Sequence, residues 1–272
     1  MNGGITRIVA ATVISAASVS GASFDHGYAD YAAVLSKHVR PLHVDYAALN
    51  ADRQALDRVV DGFSTPDTHT ERTWTRDQRM AFWINAYNVF TLRLIVDHYP
   101  IRSGWLTRQP RNSIRQIDGA WTERRWRAAG RTVSLDDIEH AILRPEFRDA
   151  RIHFAVNCAS VSCPPLSAEP YQPETLDRQL DAAARRYLGS REGLQVDHAT
   201  LRVSSIFKWY GSDFVDTYSA RVPGTRNVQE RAILGVIVAH GPADAVALAR
   251  TGAPRIDFLG YDWSLNDAPS SR

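Results

Sequence analysis

The sequence predicts an α+β fold, a helical layer with a central buried helix packed on a small antiparallel sheet. Three observations carry that reading. Helical periodicities dominate both halves of the chain. One of them, TRDQRMAFWINAYNVFTLRLIVDHY, is apolar almost all round, which suits a helix covered on every side. The strand-like stretches are short and come in pairs rather than alternating with helices. Of 272 residues, 44% are hydrophobic and only 23% charged, enough for a sizeable core and too little charge for disorder.

The opening residues 1–22 read as a secretory signal peptide: Arg7, an apolar run from Ile8 to Val19, then Ser20 and Ala22 before the expected cut. The run is about half of what a membrane span needs, so no transmembrane anchor is expected. A single globular domain over 23–267 and a polar tail over 268–272 would remain. The expected location is periplasmic or secreted, where two cysteines can pair.

Residues 28–40 and 46–63 read as amphipathic helices, with TPDTHTERT as the loop after them. Thr75 and Gln78 form a capping box that opens the central helix, and Pro100 closes it. Residues 101–120 lack periodicity. WTERRWR and RTVS flank AAG as a hairpin. Ser134 caps LDDIEHAILR, with Asp137 at its third position and Pro145 just past its end. RIHFAVN alternates as a strand, with His153, Ala155 and Asn157 on one side and Ile152, Phe154 and Val156 on the other. A helix over 173–188, the hairpin LQVDHATLRVSS, the segment IFKWYGSDF, helices over 226–240 and 242–250, and a last strand RIDFLGYDW complete the chain.

Both cysteines, Cys158 and Cys163, fall in RIHFAVNCASVSCPPL. Three readings stand beside one another. A Cys158–Cys163 disulfide would close a small loop and stabilise by about 2–3 kcal/mol. A nucleophilic Cys158 needs a base in reach, and His140, beside Glu139, and His153 are the candidates nearest in sequence. Small loop residues leave backbone amides open to a thiolate or an oxyanion. A zinc site would need a second pair of ligands that the sequence lacks, so neither metal nor cofactor is expected.

Asn85 and Asn88 share a face of the apolar helix and must find polar partners. They either tie the helix to neighbouring loops or, with Asn157, line the pocket of Cys158 and bind substrate. Asp213 adds a carboxylate, and Trp209 and Tyr210 an aromatic wall. The net charge of +2 does not point to a nucleic-acid partner. Arg102, Arg108, Arg111, Arg115, Arg124, Arg125, Arg127 and Arg131 crowd one stretch with Trp105, Trp121 and Trp126. That region is either a solvated face or a surface for an anionic envelope lipid.

Four stretches, AFWINAYN (81–88), VSLDDIEHAILR (133–144), RIHFAVNCASVSCPPL (151–166) and YDWSLN (261–266), together resemble the signature blocks of the domain of unknown function numbered 547, found in bacterial exported proteins and in plant proteins. The resemblance spans residues 75–215 and the C-terminal block. The helix-then-sheet layout of that family is similar to the papain and transglutaminase superfamily, which by analogy implies thiol chemistry. The chain departs from the transglutaminase plan: its central helix carries Asn85 and Asn88, and its cysteines lie on a later loop. Two expectations follow. One is a thiol-dependent hydrolase or acyl-transfer enzyme with Cys158 as nucleophile and His140 or His153 as base. The other is a non-catalytic module, binding a ligand or a partner, stapled by its disulfide.

Overall fold

A computed structural model describes residues 24–102, 107–251 and 253–269. The signal peptide, Trp105 and residues 270–272 of the tail lie outside them. The chain is a mixture of helices and small sheets, as the α+β reading requires. Its first helices are α1 Ala29–His38, α2 Tyr46–Ala51, α3 Arg53–Ser64, α4 Thr68–Thr73 and α5 Arg76–His98.

Two of these correct the sequence reading. The stretch 46–63 is broken at Asp52, whose backbone leaves the helical region (φ −101°, ψ 32°). The Asp52 carboxylate accepts hydrogen bonds from Lys37 at 2.6 Å and faces His38 at 3.4 Å, which ties the break to the end of α1. TPDTHTERT holds α4 rather than a loop. Asp67 caps α4 by accepting from Thr70 N at 2.7 Å. Glu71 is then fully buried, paired with Arg79 at 2.8 Å and Arg131 at 3.3 Å. No hydrophobic period could announce a helix anchored by a buried ion pair.

The capping box of α5 forms as expected. Thr75 Oγ1 accepts from Gln78 N at 3.2 Å, and Gln78 Oε1 accepts from Thr75 N at 2.9 Å. Nearly every side chain from Met80 to Val96 is buried. The hairpin is present too, as β1 Trp126–Ala128 and β2 Arg131–Val133. Its turn needs two left-handed residues, Ala129 (φ 47°) and Gly130 (φ 71°). Trp126 stacks on Phe90 of α5, with ring centroids 5.1 Å apart.

Beyond the hairpin the chain forms a π-helix, Asp137–Phe147, and a 3-10 helix, Ala150–Phe154. Pro145 lies inside the π-helix, not beyond its end. A proline inside an α-helix clashes with the carbonyl four residues back, and the wider π turn relieves that crowding. RIHFAVN is not a strand. Asp149 Oδ1 accepts from Arg151 N at 3.0 Å and starts a helical turn. Arg151 is clamped by Asp177 and Asp181, and Ile152, His153, Phe154 and Ala155 are all buried. The alternation therefore separates no buried face from an exposed one.

The remaining elements are α6 Leu176–Leu188, β3 Leu194–Asp197, β4 Thr200–Val203, α7 Ile206–Trp209, α8 Val215–Tyr218, α9 Val228–His240, α10 Ala243–Arg250 and β5 Arg255–Phe258. The second sheet is mixed rather than antiparallel: β3 and β4 run antiparallel, β4 and β5 parallel. It does not pack on α5. Leu194, Leu201 and Val203 join a second core with Phe154, α6 and α9, whereas α5 anchors the first core. No described helix is long and apolar enough to cross a membrane.

Candidate functional site

The cysteine loop is held by two asparagines and by the chain's end. Asn88 Nδ2 donates to Ala155 O at 3.0 Å, and its Oδ1 accepts from Asn157 N at 2.8 Å. Asn157 in turn bonds Pro164 O at 2.7 Å and Ala159 N at 2.9 Å. The segment Tyr261–Asn266 runs along the loop, with Val161 N donating to Ser264 O at 2.8 Å and Asn266 N to Ala159 O at 3.1 Å. Ala159 is forced into the left-handed region (φ 59°), a strained conformation for alanine. The result is a tight curl of backbone around the Cys158 sulfur.

Both cysteines are free, so the Cys158–Cys163 disulfide is not formed in this structure. The Cys158 N–H donates to Cys163 Sγ at 2.9 Å. Cys158 Sγ lies 3.2 Å from Ser160 Oγ and 3.4 Å from the Tyr261 hydroxyl. Burial pushes the Cys158 thiol up. Hydrogen bonds from Cys163, Ser160 and Tyr261 outweigh that penalty and bring it down to about 7. Cys163 moves the other way: burial and the donation of its S–H toward the Cys158 sulfur hold it protonated, against the opposing pull of the Cys158 N–H. One proton is thus kept on Cys163 and released from Cys158.

The two histidines differ in what their nitrogens do. His153 is buried, its Nε2 stands 2.8 Å from Asp213 Oδ2, and its ring stacks on Tyr210 at 4.2 Å. Arg144 grips the same carboxylate through both oxygens, at 2.7 and 2.9 Å. Burial alone would raise the Asp213 carboxyl, but Arg144 and His153 hold it well below the usual carboxylate range. No bond to His153 Nδ1 forms among the described residues, and the ring lines a cavity shared with Cys158. His140 Nδ1 lies 3.1 Å from Arg144, which can only donate, so that nitrogen must accept. Its Nε2 faces Asp136 at 3.5 Å. Both nitrogens of His140 are therefore engaged, and only His153 keeps one free.

The cavity, about 470 Å³, lies between the two cores. That volume suits a small ligand or part of a larger one. Cys158, His153, His140 and Glu139 all open onto it. Glu139 is 7% exposed, and its carboxylate keeps the Tyr210 hydroxyl protonated, reinforcing the effect of burial. Trp121, Trp209, Tyr261 and Trp263 form an aromatic wall, and Arg115 stands on the rim. No group of three or more His, Cys, Asp or Glu among the described residues is placed to hold a metal ion.

Of the residues that the sequence marked, the fold brings Cys158, His153, His140 and Glu139 together and puts Asp213 behind His153. Asn85, Asn88 and Asn157 are corrected: none lines the cavity. Asn85 holds Tyr171 through its amide and carbonyl at 2.8 and 2.9 Å, a purely structural clasp. Three of the eight arginines have places in the fold. Arg131 turns inward to Glu71, Arg125 pairs with Asp137, and Arg115 reaches the cavity. Tyr261 and Ser160, which touch the thiol, were not singled out from sequence. The YDWSLN block was the available signal for Tyr261, since a polar–aromatic run so far from the cysteines needs a partner.

Residues 71–188 match the model of a family described as "Protein of unknown function, DUF547". The matched span carries α5, the π-helix, the cysteine loop and α6. Asp213 and Tyr261 lie outside it. Neither a curated protein nor a solved structure matches the chain.

Proposed function

We propose that this chain, whose residues 71–188 form a DUF547 domain, is an exported thiol-dependent hydrolase or acyl-transfer enzyme with Cys158 as nucleophile. One observation carries the reading: a thiol tuned toward thiolate shares a cavity with an imidazole whose far nitrogen is held by a carboxylate. That is the nucleophile–base–orienter logic of covalent acyl transfer. Cys158 Sγ attacks the acyl carbon and forms a thioester. His153 Nδ1 takes the thiol proton as the sulfur attacks and passes it to the leaving group as the acyl bond breaks. It then takes a proton from the water that cleaves the thioester and returns it to Cys158 Sγ. Asp213 fixes the His153 tautomer with its proton-bearing nitrogen turned away. Sulfur and imidazole make no direct hydrogen bond here, so the transfer runs through water or after the site tightens on its substrate.

By analogy alone, a thiol, an imidazole and a polar orienting group are what the papain and transglutaminase superfamily would lead one to look for, here with the cysteine on a loop. Incubation with p-nitrophenyl acetate tests the reading. An acetyl group should appear on Cys158 by mass spectrometry, with nitrophenolate released in a burst. Undiminished release from the Cys158→Ala chain, with no adduct on the native one, would discard it.

A further inference from the structure

Resting on the acyl-transfer reading, we infer that Arg115 selects substrates bearing a carboxylate at the end remote from the scissile acyl group. The evidence is a directed sequence of contacts across the cavity wall. Cys158 Sγ lies 3.4 Å from the Tyr261 hydroxyl. The Tyr261 ring packs against Trp263 at 4.6 Å and against Trp209 at 4.8 Å. The Arg115 guanidinium lies over the far ring, Trp263, at 4.8 Å. An unbroken run of ring contacts, Tyr261 to Trp263, thus separates the nucleophile from the cation.

Arg115 is the arginine of the described cavity lining, and its side chain differs from that of Arg144, which lies outside the lining. Arg144 is occupied by Asp213, whereas Arg115 forms no ion pair or side-chain hydrogen bond among the described residues. The ring beneath it restrains the side chain and leaves its fork of N–H donors open, the geometry that matches a carboxylate through two parallel bonds. The lining also carries Asp136 and the buried Glu139, and neither pairs with an arginine or lysine among the described residues. Arg115 is thus the one arginine of the described lining, and no acid occupies it there. A single cation with no second basic group beside it suits a carboxylate better than a phosphate, which draws several donors. The stretch between is aromatic, and Trp209 is 45% exposed, so the body of the substrate is apolar or presents a ring face.

Calorimetric titration of the full chain carrying Cys158→Ala separates binding from chemistry. The probes are 3-phenylpropionate, its neutral amide 3-phenylpropanamide, and 2-phenylethylphosphonate. The acid should bind about tenfold more tightly than the amide, the scale of one partly exposed bidentate pair, and salt should erode the difference. Arg115→Gln should bring the two affinities together, and Arg115→Lys should keep part of the gap. Equal affinities, undetectable binding of the acid, or a preference that survives Arg115→Gln would overturn the assignment, and a tighter phosphonate would overturn its carboxylate part. The p-nitrophenyl acetate adduct reads the other claim separately. An acid preference with no adduct leaves the Arg115 site standing without an enzyme, and an adduct with no preference leaves the reverse.

Discussion

His153 and Asp213, sixty residues apart in the chain, meet at 2.8 Å, and that contact sets the two histidines of the cavity apart. It turns one nitrogen of His153 away from the cavity and leaves the other without a partner, whereas His140 is engaged at both. Four expectations follow from this arrangement and from the loop beside it, and a fifth from the N-terminal residues.

His153→Asn should lower acyl transfer by about 10²–10⁴-fold, the range for a positioned acid–base group. His140→Asn should cost less than about tenfold, since Arg144 and Asp136 already occupy its ring. Initial rates with p-nitrophenyl acetate decide between them. Equal losses would contradict the assignment of the base.

The Asp213 carboxyl is lower in the folded chain than in the unfolded one. Its stabilisation is therefore fully present above the unfolded value, about pH 4, and is lost as the pH falls through the lower folded value. Urea midpoints measured from pH 7 down to pH 2 should show that acid limb, and Asp213→Asn should flatten it. At neutral pH the same substitution should cost about 1–3 kcal/mol by leaving Arg144 without its charge partner. A variant with an unchanged acid limb would show that the contact does not persist in solution.

Iodoacetamide at pH 7 should label Cys158 at least about tenfold faster than Cys163, because only the first is tuned toward thiolate. Tyr261→Phe removes a donor to that sulfur and should move the pH midpoint of labelling upward. If both thiols instead resist labelling until a reductant is added, the pair is oxidised in the purified protein. Peptide mapping would then locate the disulfide.

Asn88→Leu should cost about 2–4 kcal/mol, since two buried backbone groups, Ala155 C=O and Asn157 N–H, lose their partner together. It should also slow Cys158 labelling, because Asn157 anchors the loop that curls around the sulfur. An unchanged urea midpoint would mean that the clasp contributes nothing.

Export is read from residues 1–22 alone. Edman sequencing of protein recovered from the native host's envelope fraction should begin at or near Ser23. A cytoplasmic product that keeps Met1 would remove the export proposal.

The buried central helix, its capping box, both hairpins and the later helices were legible in the sequence because local periods and caps encode them directly. So were Cys158, His153, His140 and Glu139 as candidates, since few residue types can do such chemistry and all four fall in 139–158. What the sequence hid depends on partners far along the chain. RIHFAVN alternates like a strand, yet Asp149, Asp177 and Asp181 hold Arg151 in a helical turn. Asn85 and Asn88 could have faced substrate or backbone, and only the folded loops show that their amides are saturated. The proposed choice of His153 over His140 rests on Asp213 and Arg144. The lowering of the Cys158 thiol rests on Cys163 and Ser160 in its own loop, with Tyr261, 103 residues away, adding to them. Hydrogen bonds and ion pairs act over about 3 Å regardless of sequence separation, so the distant partners that these residues meet were decided by tertiary structure.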